Sequence, residues 1–177
     1  MERNKVEFFN EKLREKGLTI VCAESITAGL LASTIASVSG ASDILKGSIV
    51  TYSRELKTSI LNVDPRIIDD NTAESIQTTI EMAYGLTKVY PSADIFVAVT
   101  GVASESTNGY KLDKEVGQIY VAVYHKNKMN EISKIIDPND VKRANDIAKQ
   151  NNVEKTERNI IRELTVESIF DFILSII

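Results

Sequence analysis

The sequence predicts an α/β fold, a single-domain layered α/β/α sandwich built on a mixed, partly antiparallel sheet. In the first half of the chain, short β-rich runs alternate with segments of helical periodicity. In the second half, DIFVAVTG (94–101), VGQIYVAVYH (116–125) and EISKIID (131–137) follow one another with no helical pattern between them. Strands joined in that way pair antiparallel. The 177 residues, 43% hydrophobic and 26% charged, suit one domain spanning 1–177 with a sizeable core.

Residues 2 to about 16 form the first predicted helix, because Val6, Phe9 and Leu13 recur at three and four and Gly17 stands where a helix ends. LTIVCA (18–23) is a short strand. From Thr27 to Val38, Leu30, Leu31, Thr34, Ile35 and Val38 keep helical spacing, and SGASD ends that helix. GSIVTYS (47–53) is the second strand, followed by a short helix over 54–61 and a turn at Asp64-Pro65. A long helix then runs to about Val89, capped by Asn71 or Thr72, with Glu74 completing a capping box, and Tyr90-Pro91 closes it. After the three strands, ANDIAKQNNVEK reads as loosely ordered. Residues 153–177 form a last helix with Ile161, Leu164, Ile169, Phe172, Ile173 and Ile176 along one stripe.

Composition removes several functional classes. The net charge is -4 and no lysine or arginine cluster is present, so the chain lacks the basic face of a nucleic-acid binder. One cysteine and one histidine allow neither an internal disulfide nor a zinc site of the Cys/His type. No apolar run approaches the ~20 residues that span a bilayer, and MERNKVEFFNEKLREKG has no apolar signal core. A cytoplasmic protein with no membrane association is expected.

The stretch VCAESITAGLLAST (21–34) carries the first chemical signal. Ser25 falls where a strand gives way to a helix, among the small residues Ala23, Ala28 and Gly29. Free backbone N–H groups at such a corner suit an anion or a developing oxyanion. The plainer alternative is that Ser25 caps the helix. A second segment, GSIVTYSRELKTSILNV (47–63), supplies Tyr52 and, five residues on, Lys57. A serine nucleophile needs a base, and a desolvated lysine with a pKa of ~7–8 can serve. Taken singly, Tyr52 also reads as a strand-edge residue and Lys57 as a solvated helix charge.

Together these segments resemble the C-terminal domain family of the CinA, or competence-damage-inducible, proteins, which includes stand-alone nicotinamide mononucleotide deamidases. The family's A-E-S-x-T-G-G-L is similar to Ala23-Glu24-Ser25-Ile26-Thr27-Ala28-Gly29-Leu30. Its V-x-Y-S-x-x-x-K resembles Val50-Thr51-Tyr52-Ser53 with Lys57, and its T-G-x-A resembles Thr100-Gly101-Val102-Ala103. Lys114-Glu115-Val116-Gly117 and the pair Arg158 and Arg162 resemble later family motifs, in order along nearly the whole chain.

The resemblance implies an amidohydrolase that converts nicotinamide mononucleotide and water to nicotinate mononucleotide and ammonia, in pyridine nucleotide recycling, with no cofactor and no metal. It implies Ser25 as nucleophile, Lys57 as base and Tyr52 as a neighbouring hydrogen-bonding group. It also implies substrate contacts from Thr27, Ala28, Gly29, Thr100, Gly101 and Arg158, with oxyanion donors near Ala28-Gly29. Ala28 stands where the family has the first of two glycines, and Ser104-Glu105 replaces its Gly-Pro. These departures motivate the alternative of a catalytically impaired module that binds a pyridine nucleotide or a protein partner.

Three residues remain. His125 is read as an ordinary strand-end histidine and Cys22 as a buried small hydrophobe. Glu24 has two readings, orienting Lys57 or pairing with it and keeping it charged. Ile160, Ile176 and Ile177, in excess of one stripe, suggest a subunit contact and hence a homo-oligomer.

Overall fold

The structure, a computed structural model, describes residues 3–105 and 113–177. Five strands form one sheet in the order β2-β1-β3-β4-β5. β1 (Ile20–Glu24) lies parallel to both β2 (Leu45–Val50) and β3 (Ile95–Gly101). β4 (Gln118–His125) is antiparallel to β3 and to β5 (Lys128–Ile135). The mixed sheet expected from the sequence is therefore present, with β3, β4 and β5 as its antiparallel part. Lys126 and Asn127 turn the β4–β5 hairpin with φ 49° and 60°, the left-handed pair that matches strand twist.

Side-chain alternation divides the core in two. Ile20, Cys22, Val97, Val99, Val121 and Val123 face one side. There they meet α1 (Arg3–Glu15), α2 (Leu30–Ala36) and α8 (Glu157–Ile176). Val21, Ala23, Phe96, Ala98 and Ala122 face the other side, with α6 (Ile76–Val89). Ala23, Ala98 and Ala122 are paired across β1, β3 and β4. A row of methyl groups lets α6 approach the sheet closely, which longer side chains would prevent.

Several boundaries differ from the sequence expectation, each for a local reason. Glu2 lies outside the described residues. SGASD does not simply end a helix, since α3 (Ala41–Ile44) starts within it. β2 starts two residues earlier than expected and stops at Val50, leaving Thr51 and Tyr52 in the turn before α4 (Arg54–Leu61). Asp64-Pro65 opens a helix, α5 (Pro65–Asn71), with the Asp64 carboxylate accepting from the Arg66 N–H at 2.9 Å. Asn71 ends α5, so neither it nor Thr72 caps α6. Ser75 does, accepting from the Thr78 N–H, and Glu74 is not part of a capping box. ANDIAKQNN belongs largely to α7 (Pro138–Gln150), capped by Asp137 in the same Asp-Pro manner.

The last helix begins at Glu157 and is apolar around much of its circumference. It buries Ile160, Val166 and Phe170 besides Ile161, Ile169 and Ile173. Ile160 is only 1% exposed, and Ile176 and Ile177 pack partly against the core. Of the isoleucines invoked for a subunit contact, Ile160 is thus buried within the chain, while Ile176 and Ile177 keep part of their surface open.

Candidate active site

The ends of the parallel strands converge on one cleft, the usual place for ligands in open α/β sheets. β1 delivers Ser25, β3 delivers Gly101, and the chain leaving β2 delivers Tyr52. α8 folds back so that Arg158 closes the far wall. The cleft measures about 450 Å³, with Ser25, Ile26, Tyr52, Glu74, Gly101 and Arg158 in its wall beside the 102–105 turn.

At its floor, Lys57 Nζ lies 3.1 Å from Ser25 Oγ. The same nitrogen reaches the carbonyl oxygens of Thr51 at 2.7 Å and Tyr52 at 3.4 Å. A neutral amine there donates two hydrogens to the carbonyls and turns its lone pair toward the serine hydroxyl. α4 sets this position, because the Ser53 hydroxyl caps its start and Lys57 projects from its buried face. The lysine is fully enclosed. Desolvation pulls its pKa from 10.5 down to about 8, against an opposing pull from the Glu74 carboxylate. It is no solvated surface charge.

Ser25 does not cap α2. That role falls to Glu24, which is wholly buried and accepts from the N–H groups of Gly29 (2.9 Å), Leu31 (3.0 Å) and Ala32 (3.0 Å). Ser48 Oγ donates to the same carboxylate at 2.8 Å. Glu24 therefore neither orients nor pairs with Lys57; it holds the turn between β1 and α2. Within that turn Ala28 sits at φ 47°, where an alanine costs about 1 kcal/mol relative to glycine.

The oxyanion donors expected at Ala28-Gly29 are occupied. The Ala28 N–H donates to the Ser25 carbonyl at 3.1 Å and the Gly29 N–H to Glu24. Among the described residues, the N–H groups of Ile26 and Thr27 make no hydrogen bond. Of the two, Ile26 lines the cleft beside Ser25. Thr27, Ala28 and Gly29 do not line the cleft, and Thr27 is fully buried. Arg162 reaches the Thr27 carbonyl at 2.7 Å and ties the turn to α8.

Thr100 is also displaced from its expected place. Its hydroxyl meets that of Thr79 at 2.8 Å beneath the cleft, while Gly101 forms the wall. A Cβ at Gly101 would stand 2.5 Å from the Gln118 carbonyl oxygen, so the strand crossing there admits only glycine. Arg158 donates to Tyr52 Oη at 2.8 Å and to Ser104 Oγ at 2.7 Å. Tyr52 thus presents its hydroxyl to the guanidinium and only its carbonyl to Lys57. Ser104, in place of the expected glycine, helps hold the arginine.

Sequence reasoning missed Glu74, a carboxylate of the cleft wall that precedes the α6 cap. Burial raises its pKa, and the charges of Lys57 and Lys114 oppose that rise. His125 lies at the other end of the sheet, opposite the first residue of β3, and its Nδ1 is 2.9 Å from the Asp94 carbonyl. Cys22 is fully buried, and desolvation raises its thiol pKa well above the ordinary value. Among the described residues no three Asp, Glu, His or Cys side chains gather as a metal site, and no helix is long and apolar enough to cross a membrane.

The sequence matches the CinA C-terminal domain family over residues 2–177. It is 38% identical over 118 residues to a CinA-like protein of Dictyoglomus turgidum, covering 67% of this chain and 28% of that one. It is 43% identical over 108 residues to a CinA-like protein of Petrotoga mobilis, covering 61% and 26%. The chain thus spans little more than a quarter of the length of these relatives. The fold is that of the competence/damage-inducible protein CihA from Agrobacterium tumefaciens, with TM-score 0.78, 24% identity and coverage of 98% and 93%. A CinA superfamily protein from Escherichia coli superposes with TM-score 0.78 at 20% identity, covering 99% and 90%.

Proposed function

This chain belongs to the CinA C-terminal domain family, and on that premise we propose that it is an amidohydrolase acting on nicotinamide mononucleotide. The observation that carries the reading is the 3.1 Å approach of an enclosed Lys57 amine, with a pKa of about 8, to the hydroxyl of Ser25. A base poised near neutral pH beside a serine at a cleft floor is what acyl transfer requires.

Lys57, neutral, takes the Ser25 proton as the oxygen attacks the amide carbon. The oxyanion forms beside the N–H of Ile26, where one well-placed donor is worth ~3 kcal/mol. Lys57, now an ammonium, returns the proton to the departing nitrogen, and ammonia leaves an ester on Ser25. Water, deprotonated by the same amine, then cleaves the ester to nicotinate mononucleotide. Arg158, steadied by Tyr52 and Ser104 and facing the cleft, suits a phosphate oxygen pair.

Ammonia release from nicotinamide mononucleotide tests the reading. Wild-type protein should release it, and Ser25→Ala and Lys57→Met should each lower kcat by at least about a thousandfold. Undiminished release by the Ser25 variant would remove the serine from the mechanism. The second reading, a binding module without turnover, draws on the left-handed Ala28 and on Glu105 in the cleft wall. Calorimetric binding of the nucleotide with no ammonia formed would favour it.

A further inference from the structure

We propose that Glu74 is a specificity-determining residue, forming a subsite that selects carboxamides borne on a permanently cationic ring over neutral ones. The proposal rests on the deamidase reading of the same cleft and adds the charge of the substrate's reacting end. Glu74 stands in the cleft wall with Ser25 and Arg158. Its side chain makes no hydrogen bond or ion pair with any other described residue, although burial disfavours its charge. Its own backbone N–H and the charges of Lys57 and Lys114 offset that cost only in part, and a bound cation relieves more of it.

The two charged ends of the cleft are different. Arg158, with the hydroxyls of Tyr52 and Ser104, offers donors only to an anion. Glu74 is close enough to Lys57 for each to shift the other's pKa, and Lys57 touches Ser25. The acidic end is thus the nucleophile's end. An amide carbon over Ser25 brings its ring to that end, and a ring nitrogen carrying a fixed positive charge meets the carboxylate. A neutral pyridine gains nothing there. Lys114 and Glu105, the other charged groups near this wall, are untouched by a substitution at Glu74, so the change in preference on that substitution isolates this carboxylate.

Glu74→Gln also removes a charge that raises the Lys57 pKa, but that change acts equally on every amide substrate. The ratio between a cationic and a neutral substrate isolates the subsite. Wild-type protein should favour 1-methylnicotinamide over nicotinamide in kcat/KM, and Glu74→Gln should reduce that preference about tenfold or more. Glu74→Asp should retain most of it. An equal loss on both substrates would mark a proton-transfer or structural role and overturn the proposal.

Calorimetry with the same two compounds, on wild-type protein alone, gives a reading that needs neither turnover nor a variant. Tighter binding of the cation supports the subsite, and equal binding overturns it. If no carboxamide is hydrolysed while the cation is still preferred, the deamidase reading fails and the Glu74 subsite stands.

Discussion

Lys57 carries a thermodynamic cost as well as a chemical capacity. Its pKa of about 8 in the folded chain means that, between pH 8 and 10.5, the unfolded chain binds more protons at this site than the folded one. Stability therefore rises with pH across that window, and below pH 8 the full penalty for enclosing the charge applies. A shift of this size corresponds to roughly 3 kcal/mol. Urea unfolding should show wild-type protein gaining on Lys57→Met by about that amount between pH 7 and pH 10.5. Parallel profiles for the two proteins would mean that the amine is not desolvated. The rate should likewise climb through about pH 8, as the base form appears, and Glu74→Gln should move that rise to lower pH. The spacing of Ser25 and Lys57 in the sequence suffices to nominate the pair. Glu74 has no such signal, because an acid just before a serine and a helix resembles ordinary capping chemistry.

At the scale of elements, the turn from β1 to α2 is organised by a carboxylate on the preceding strand. Glu24 takes three N–H groups of the turn and helix, which gives the short α2 its start and leaves Ser25 free for Lys57. Glu24→Ala would strand those donors in a buried setting, and hydrogen bonds to a charged group are individually worth ~1.5–3 kcal/mol. The expected loss is about 3 kcal/mol or more in chemical denaturation, with hydrolysis falling as the turn loosens. A variant of unchanged stability would show that the turn holds itself. Three helices escaped the sequence pattern, α3, α5 and α7, although two of them carry a readable start, Asp64-Pro65 for α5 and Asp137-Pro138 for α7. An Asp cap followed by Pro at the first helical position is as much a start signal as a turn signal. Large apolar residues are scarce in both, Ile67 and Ile68 in α5 and Val141 and Ile147 in α7, so their polar composition outweighed the start signal.

Across the whole molecule, the two ends of the chain are packed together on one face of the sheet. Phe9 of α1 and Phe170 of α8 stack with centroids 4.0 Å apart and planes within 6°, both fully buried. α8 also brings Arg158 to the cleft and Arg162 to the Ser25 turn. Phe9→Ala should cost about 3–5 kcal/mol in urea unfolding. Because α8 is shared, the variant should also lose affinity for a phosphate-bearing ligand before it unfolds, read by calorimetry at low urea. Loss of stability with full affinity would show that the arginines are held by the cleft alone.

The sequence by itself determined the order of the five strands and the longer flanking helices, the presence of an antiparallel part in the sheet and the nomination of Ser25 with Lys57. Period, capping chemistry and short motifs report local backbone and travel with the residues that carry them. Only the tertiary structure decided which polar group meets which. It sent Glu24 to the helix start rather than to the lysine, Tyr52 to an arginine 106 positions away, Thr100 beneath the cleft and Glu74 into its wall. A hydrogen-bonding side chain has many chemically equivalent partners along a sequence, and folding selects among them by burial, where each buried donor or acceptor left alone is costly.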